Sequence, residues 1–209
     1  MNKTQDKINI VNTIIQAAAD YKTYMVGRSF LYVFEGRYIE VIYRARDFLH
    51  LTGIDTNLSA NEFYKEAIRG TLRHTQIFFS KRHPYDLCVR KMLHLAHITA
   101  VTNSSIFLLE DLVTNTFQYK FGLSELNFTV CLDADKDSNQ MIVSDHYIVR
   151  SLRVEDSFDR SSGAFEVQYI FVKPNDVRLY PTISYTDHRI NITDLPEEVL
   201  AKLNPILLK

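Results

Sequence analysis

Ser29-Phe30-Leu31-Tyr32-Val33-Phe34-Glu35-Gly36-Arg37-Tyr38-Ile39-Glu40-Val41-Ile42-Tyr43 is the stretch from which the fold is read. Its arms, Ser29 to Glu35 and Tyr38 to Tyr43, are rich in the aromatic and β-branched residues that fit a pleated surface, and Gly36-Arg37 supplies a short turn. The pattern predicts a β-hairpin. Its second arm leads straight into Phe48-Leu49-His50-Leu51-Thr52-Gly53-Ile54, so a histidine, a hydroxyl and a glycine fall within four positions at the hairpin's end. A histidine there can carry protons near neutral pH, a threonine two residues on can point the same way, and a glycine lets the backbone turn close to a ligand. The same residues also suit a tight strand-to-helix connection whose histidine merely bonds to backbone.

Upstream, Ile8, Val11, Ile14, Ile15 and Ala18 recur at helical spacing, predicting an amphipathic helix over residues 4–19 that ends before Tyr21, within an N-terminal segment 1–20. Downstream, Ser59-Ala60-Asn61-Glu62 fits a capping box opening a helix to about Arg73, with Phe63, Ala67 and Ile68 as its buried stripe. Pro84 opens a further helix to about Ile98, with Leu87, Cys88, Leu95 and Ile98 inward. After Thr99 the pattern turns to strands: Ile106 to Leu109, Phe117 to Phe121, Phe128 to Leu132, Met141 to Val154 and Phe165 to Lys173. Polar connections at Asp133 to Gln140 and Glu155 to Gly163 suit hairpin turns. Residues 174–209 read as an extension ending in a short helix from Pro196 to Leu203. The expected fold is one α+β domain over residues 1–209, its N-terminal helices and hairpin packed on a curved antiparallel β-meander sheet, with the hairpin joining or flanking that sheet.

The chain has 209 residues, 46% of them hydrophobic, enough to bury a full core. No apolar run approaches a membrane span of about 20 residues and the N-terminus lacks a signal-peptide segment, so a cytoplasmic protein is expected. Cys88 and Cys131 sit in apolar patterns without C-x-x-C spacing, which argues for reduced, buried thiols. A net charge of -1 disfavours a general polycation, but residues 1–100 hold 14 Lys and Arg against 9 Asp and Glu, while residues 101–209 hold 10 against 16. Within the stretch 65–91, Lys65, Arg69, Arg73, Lys81, Arg82, Arg90 and Lys91 face only Glu66 and Asp86, so this half can meet a polyanion, or carries solvated helix faces.

Metal and nucleotide chemistry find little support. His94-Leu95-Ala96-His97 has no third ligand at a recognisable spacing, and Asp133-Ala134-Asp135-Lys136-Asp137 puts Ser138 and Ser144 where a calcium loop needs Gly and Glu. There is no P-loop, dinucleotide fingerprint or nucleophile elbow. No metal or cofactor is expected.

The segment from Arg28-Ser29-Phe30 through Tyr38-Ile39-Glu40-Val41 to Phe48-Leu49-His50-Leu51-Thr52-Gly53-Ile54, followed by Phe63-Tyr64, resembles a phage-type nuclease family of the barnase, EndoU, colicin E5/D and RelE superfamily. Members carry a hydrophobic strand, an F-L-H-L-T-G motif and then a helix with F-Y. The resemblance covers about residues 20–175, its specific part being the motif, and implies a metal-independent ribonuclease encoded by a phage or other mobile element.

Such cleavage needs a base for the 2′-hydroxyl proton, an acid for the leaving 5′-oxygen, and cations or hydroxyls around the phosphorane. His50 suits the proton work and Thr52 the donation to a non-bridging oxygen, while Arg44 or Arg46 can neutralise charge. From the sheet, Lys120 and Arg150 break otherwise apolar strands and complete the expected catalytic set; either can equally face solvent. His146 shares a regular-strand face with Arg150 and, with Arg28 and Tyr64, is expected to contact substrate. The expected substrate is RNA, held in one reading within a host ribonucleoprotein. The alternative is a non-catalytic protein, an anti-CRISPR-type inhibitor or RNA-binding module, that blocks a host defence complex.

Overall fold

The computed structural model describes residues 3–114, 117–154 and 157–209. The elements run α1 (Lys3–Tyr24), β1 (Arg28–Phe34), β2 (Arg37–Ile42), α2 (Phe48–Thr52), β3 (Asp55–Thr56), α3 (Ala60–Arg69), β4 (Ile77–Phe78) and α4 (Tyr85–Leu95). Then follow β5 (Phe107–Val113), β6 (Gln118–Ser124), β7 (Thr129–Lys136), β8 (Ile142–Arg153), β9 (Gly163–Glu166), β10 (Tyr169–Pro174), β11 (Thr182–Thr186) and α5 (Glu197–Leu200). The fold is α+β. Among the described residues no helix is long and apolar enough to cross a membrane.

Nine strands form one mixed sheet in the order β11-β10-β1-β2-β8-β7-β6-β5-β9, while β3 and β4 make a separate ribbon. Of the two expected placements, joining or flanking the sheet, the hairpin takes the first and lies inside it, and the sheet is mixed rather than an antiparallel meander alone. β1 pairs with β10, and β2 pairs in parallel with β8 through Val41 opposite Tyr147 and Ile42 opposite Ile148. Its composition explains the central place. Along β1, Phe30, Tyr32 and Phe34 enter the main core, while Leu31 and Val33 enter a second core under the C-terminal segment with Phe171, Tyr180, Leu195 and Val199. A strand covered on both faces buries an unbroken apolar run rather than an alternating one.

The single strand expected at Phe165 to Lys173 is divided. β9 pairs with β5 at one end of the sheet and β10 with β1 near the other, with only Val167 and Gln168 between them. Val167 donates its amide to the Ile106 carbonyl and Gln168 to the Val33 carbonyl, so the sheet curls until its two ends meet. Arg37 fastens the seam, bonded to Glu110 at 2.8 Å and lying over the rings of Phe34 and Phe165.

The first helix runs five residues beyond its expected end. Tyr21 falls one heptad after Ile14, on the same buried face, and packs against Tyr43, Phe48 and Tyr64. The capping box of α3 forms as expected, with Ser59 and Glu62 bonding reciprocally, but Gly70 ends that helix in the left-handed region at φ +71°, before Arg73. Cys88 and Cys131 are buried and are not joined in a disulfide. The expected Glu155 to Gly163 turn begins outside the described residues.

Candidate active site

Phe48-Leu49-His50-Leu51-Thr52 is a short helix rather than a strand end. Phe48, Leu51 and Thr52 point into the core, and spacing of three and four residues buries one face while leaving His50 on the other. Gly53 ends the helix at φ +66° and ψ +29°. A β-carbon at Gly53 would meet the Lys91 stem at 2.7 Å from Cδ, so the glycine serves both the turn and the close passage of that lysine.

His50 stands at a cleft of about 580 Å³ between α2, the start of α4, the β3–β4 ribbon and strands β6 and β8. Its charged walls are Lys81, Arg82, His83, Lys91, Arg150 and Arg153 with the single carboxylate of Asp55, and Phe117 and Tyr119 stand beside them. Part of His50 reaches water, yet its pKa is lowered, first by partial desolvation and then by the positive fields of Arg150, Arg82, His83 and Lys91. The ring therefore favours its neutral form.

Two features of the sheet bring Arg150 to His50. The parallel pairing ends with Ile42 beside Ile148, so the chain leaving β2 for α2 runs alongside the chain continuing up β8. Leu132 then pairs with Val149 and Cys131 with Ser151, which leaves Arg150 as the extra residue of a β-bulge. A bulge breaks the two-residue alternation and re-aims side chains. Arg150, Ser151 and Arg153 all line the cleft, although regular alternation would send Arg150 and Arg153 to opposite faces. Arg153 also donates to the Tyr119 hydroxyl at 3.3 Å.

Of the residues expected from sequence, His50 and Arg150 come together here and the others are placed elsewhere. Thr52 is fully buried; its hydroxyl donates to the Leu49 carbonyl at 2.8 Å, within its own helix, and does not face the cleft. Lys120 is on the exposed face of β6, paired with Asp111 at 2.8 Å. Arg44 grips the buried carboxylate of Asp135, a bond of 2.7 Å from Nη1 to Oδ1 accompanied by a shorter one from Nη2. That bond, above all, holds Asp135 below the usual carboxylate range, and Ser144 adds to it. Arg46 is largely exposed, 4.0 Å from Asp47. Tyr64 is buried against Tyr21 and Phe48, where burial pushes its phenol up to about 12. Arg28 begins β1 opposite Pro174, and His146 lies 3.7 Å from Glu40, which also binds Lys202 and Tyr180.

The cleft residues missed as individuals had signals of their own. Lys91 occupies the apolar stripe of α4 between Cys88 and Leu95, and a lysine 5% exposed on such a stripe must send its ammonium to a polar cavity. Arg153 shares the Val149-Arg150-Ser151-Leu152-Arg153 run. His83 and Asp55 left no pattern, because they meet only through the ribbon. Among the described residues, no three His, Cys, Asp or Glu side chains converge as a metal site, and His94 instead packs on Phe128.

No curated protein and no solved structure matches the chain. A family model does, over residues 13–189, which runs from the middle of α1 through β11 and takes in the whole cleft. The chain belongs to the family described as phage-Barnase-EndoU-ColicinE5/D-RelE like nuclease4, a family of nucleases.

Proposed function

We propose that the protein is a metal-independent endoribonuclease of a phage or mobile element, acting on RNA that includes RNA held in a host ribonucleoprotein. The observation that carries this reading is the placement of His50, its ring biased toward the neutral form, in a cleft walled by Arg82, Lys91, Arg150 and Arg153.

A neutral imidazole can accept the proton of a 2′-hydroxyl as its oxygen attacks the adjacent phosphorus. The phosphorane gains negative charge, and cations in a partly water-excluded cleft stabilise that charge more than they stabilise the ground state. Lys91 supplies a point charge from a buried stem and Arg150 a planar fork suited to two phosphate oxygens. Bond formation between O2′ and phosphorus, with loss of O5′, leaves a 2′,3′-cyclic phosphate and a 5′-hydroxyl. The exposed ring of Phe117, 6.3 Å from Tyr119, offers an unpaired base a stacking surface at the cleft wall.

The test incubates the protein in EDTA with end-labelled RNA, both free and in purified ribonucleoproteins, and with an all-deoxy oligonucleotide of the same sequence. Wild type should leave cyclic-phosphate ends on RNA and spare the oligodeoxynucleotide, and His50→Ala should be slower by about 10²–10⁴-fold. Equal cleavage by both proteins, or none by either, refutes the reading. Saturable binding without cleavage would favour a blocking protein instead.

A further inference from the structure

His50 gives the cleft one proton-transfer group, and phosphodiester cleavage needs two. We propose that His83, oriented by Asp55, is the general acid that protonates the leaving 5′-oxygen, a role that rests on the nuclease reading of the same cleft.

His83 lines the cleft with His50 but arrives by a different route, from the turn between β4 and α4. Its Nδ1 lies 2.7 Å from Asp55 Oδ1, on the neighbouring strand β3. That contact engages one ring nitrogen and leaves Nε2 as the one for proton exchange, an arrangement in which a carboxylate fixes both ring orientation and tautomer. The backbone is clamped as well. Ser80 donates its amide to the His83 carbonyl at 3.0 Å, and its hydroxyl accepts the amides of Arg82 and His83, each at 3.2 Å.

The two imidazoles differ in the charges that act on them. Those that bear on His50 are Arg150, Arg82, His83 and Lys91, each cationic or able to become so, while the Asp55 carboxylate on the same cleft wall bonds to His83. His83 has a carboxylate counter-charge. Burial opposes the ionised form of Asp55, but the Ser80 and His83 side chains outweigh it and hold the carboxyl below its ordinary range. One imidazole facing cations and a second held by a carboxylate in the same cleft supply the two proton-transfer groups that the step requires. In the step, O2′ bonds to phosphorus and its proton passes to His50. The P–O5′ bond breaks, its electron pair stays on O5′, and that oxygen takes the proton from His83 Nε2. No oxidant, reductant or further reactant is needed.

The test varies the leaving group. A ribodinucleotide releases an alkoxide that must be protonated, whereas uridine 3′-(4-nitrophenyl phosphate) releases a phenolate that need not be. His83→Gln is expected to lose about 10²–10⁴-fold on the dinucleotide yet stay within about threefold of wild type on the nitrophenyl ester. His50→Ala should lose activity on both. Asp55→Asn, a positioning variant, should fall between wild type and His83→Gln on the dinucleotide and recover on the ester. Activity on the ester shows that the His83 and Asp55 variants are folded, and an unchanged urea midpoint shows it for His50→Ala. Wild-type activity of His83→Gln on the dinucleotide, or an equal loss on both substrates, overturns the acid role while leaving the nuclease reading standing. Indifference of both substrates to His50→Ala would overturn that reading instead.

Discussion

Replacing Gly53 by alanine strikes the link between the turn after α2 and the lysine that crosses it. At φ +66° the residue is left-handed, which costs an L-residue about 1–2 kcal/mol, offset by about 0.4–1 kcal/mol because alanine also restricts the unfolded chain. The new β-carbon would stand 2.7 Å from Lys91 Cδ, 3.2 Å from Cε and 3.3 Å from Nζ. Because the lysine is 5% exposed, its stem has little room to retreat, and overpacking of this kind costs about 1–3 kcal/mol. Gly53→Ala should therefore destabilise the protein by about 2–3 kcal/mol, lowering the urea midpoint by about 1 M for a slope of about 2–3 kcal/mol per M. In a Lys91→Ala background the clash is gone and the same substitution should cost about 1 kcal/mol or less, a coupling of about 1–2 kcal/mol across the cycle. Cleavage by folded Gly53→Ala should also fall, by up to about 10²-fold, as the ammonium is displaced. Urea unfolding of the four proteins decides the matter. If Gly53→Ala costs the same with and without Lys91, the stem does not rest on the glycine and the reasoning fails.

Two further outcomes separate scaffold from site. Arg44→Met strands the buried Asp135 carboxylate and should cost about 2–4 kcal/mol, leaving the rate per folded molecule near wild type, while Arg150→Met should cost little stability and about 10²-fold in rate; the reverse pattern in melting and cleavage assays would exchange their roles. Asp47 is buried, its Oδ2 lacks a hydrogen-bond partner, and burial outweighs Arg44, Arg46 and Arg150 to raise its pKa to about 6. The folded state then holds a proton that the unfolded state has released. The contribution of Asp47 to stability should be fully present below about pH 4 and be lost as pH rises through about 6, so Asp47→Asn should exceed wild type by up to about 3 kcal/mol at pH 7.5 and match it at pH 3.5. A difference that stays flat across that range in denaturant titrations would remove the effect from Asp47.

Much of the scaffold was legible because it follows local rules. The Ser59–Glu62 box set the start of α3, and the Gly36-Arg37 turn the hairpin. The basic run ending in Arg90 and Lys91 contains Lys81, Arg82 and Lys91 of the cleft wall, and the motif contains His50. Where the reading departed from the structure, a distant neighbour decided the outcome. Regular alternation put His146 with Arg150, and a one-residue bulge against β7 undid it. Proximity in sequence put Arg44 and Thr52 beside His50, but Asp135, 91 residues from Arg44, holds the first, and the turn of α2 buries the second.

The sequence by itself determined the α+β class, the hairpin and the starts of α1, α3 and α4, and it singled out the histidine on which the proposed site is centred, since propensity, capping and periodicity act within a few residues. The tertiary structure alone decided that β2 lies parallel to β8, that Arg150 is bulged toward α2, and that His83 meets Asp55 beside the same cleft. Strand partners and ion pairs are chosen by burial and charge across the whole chain, where local pattern carries no record of which segments will meet.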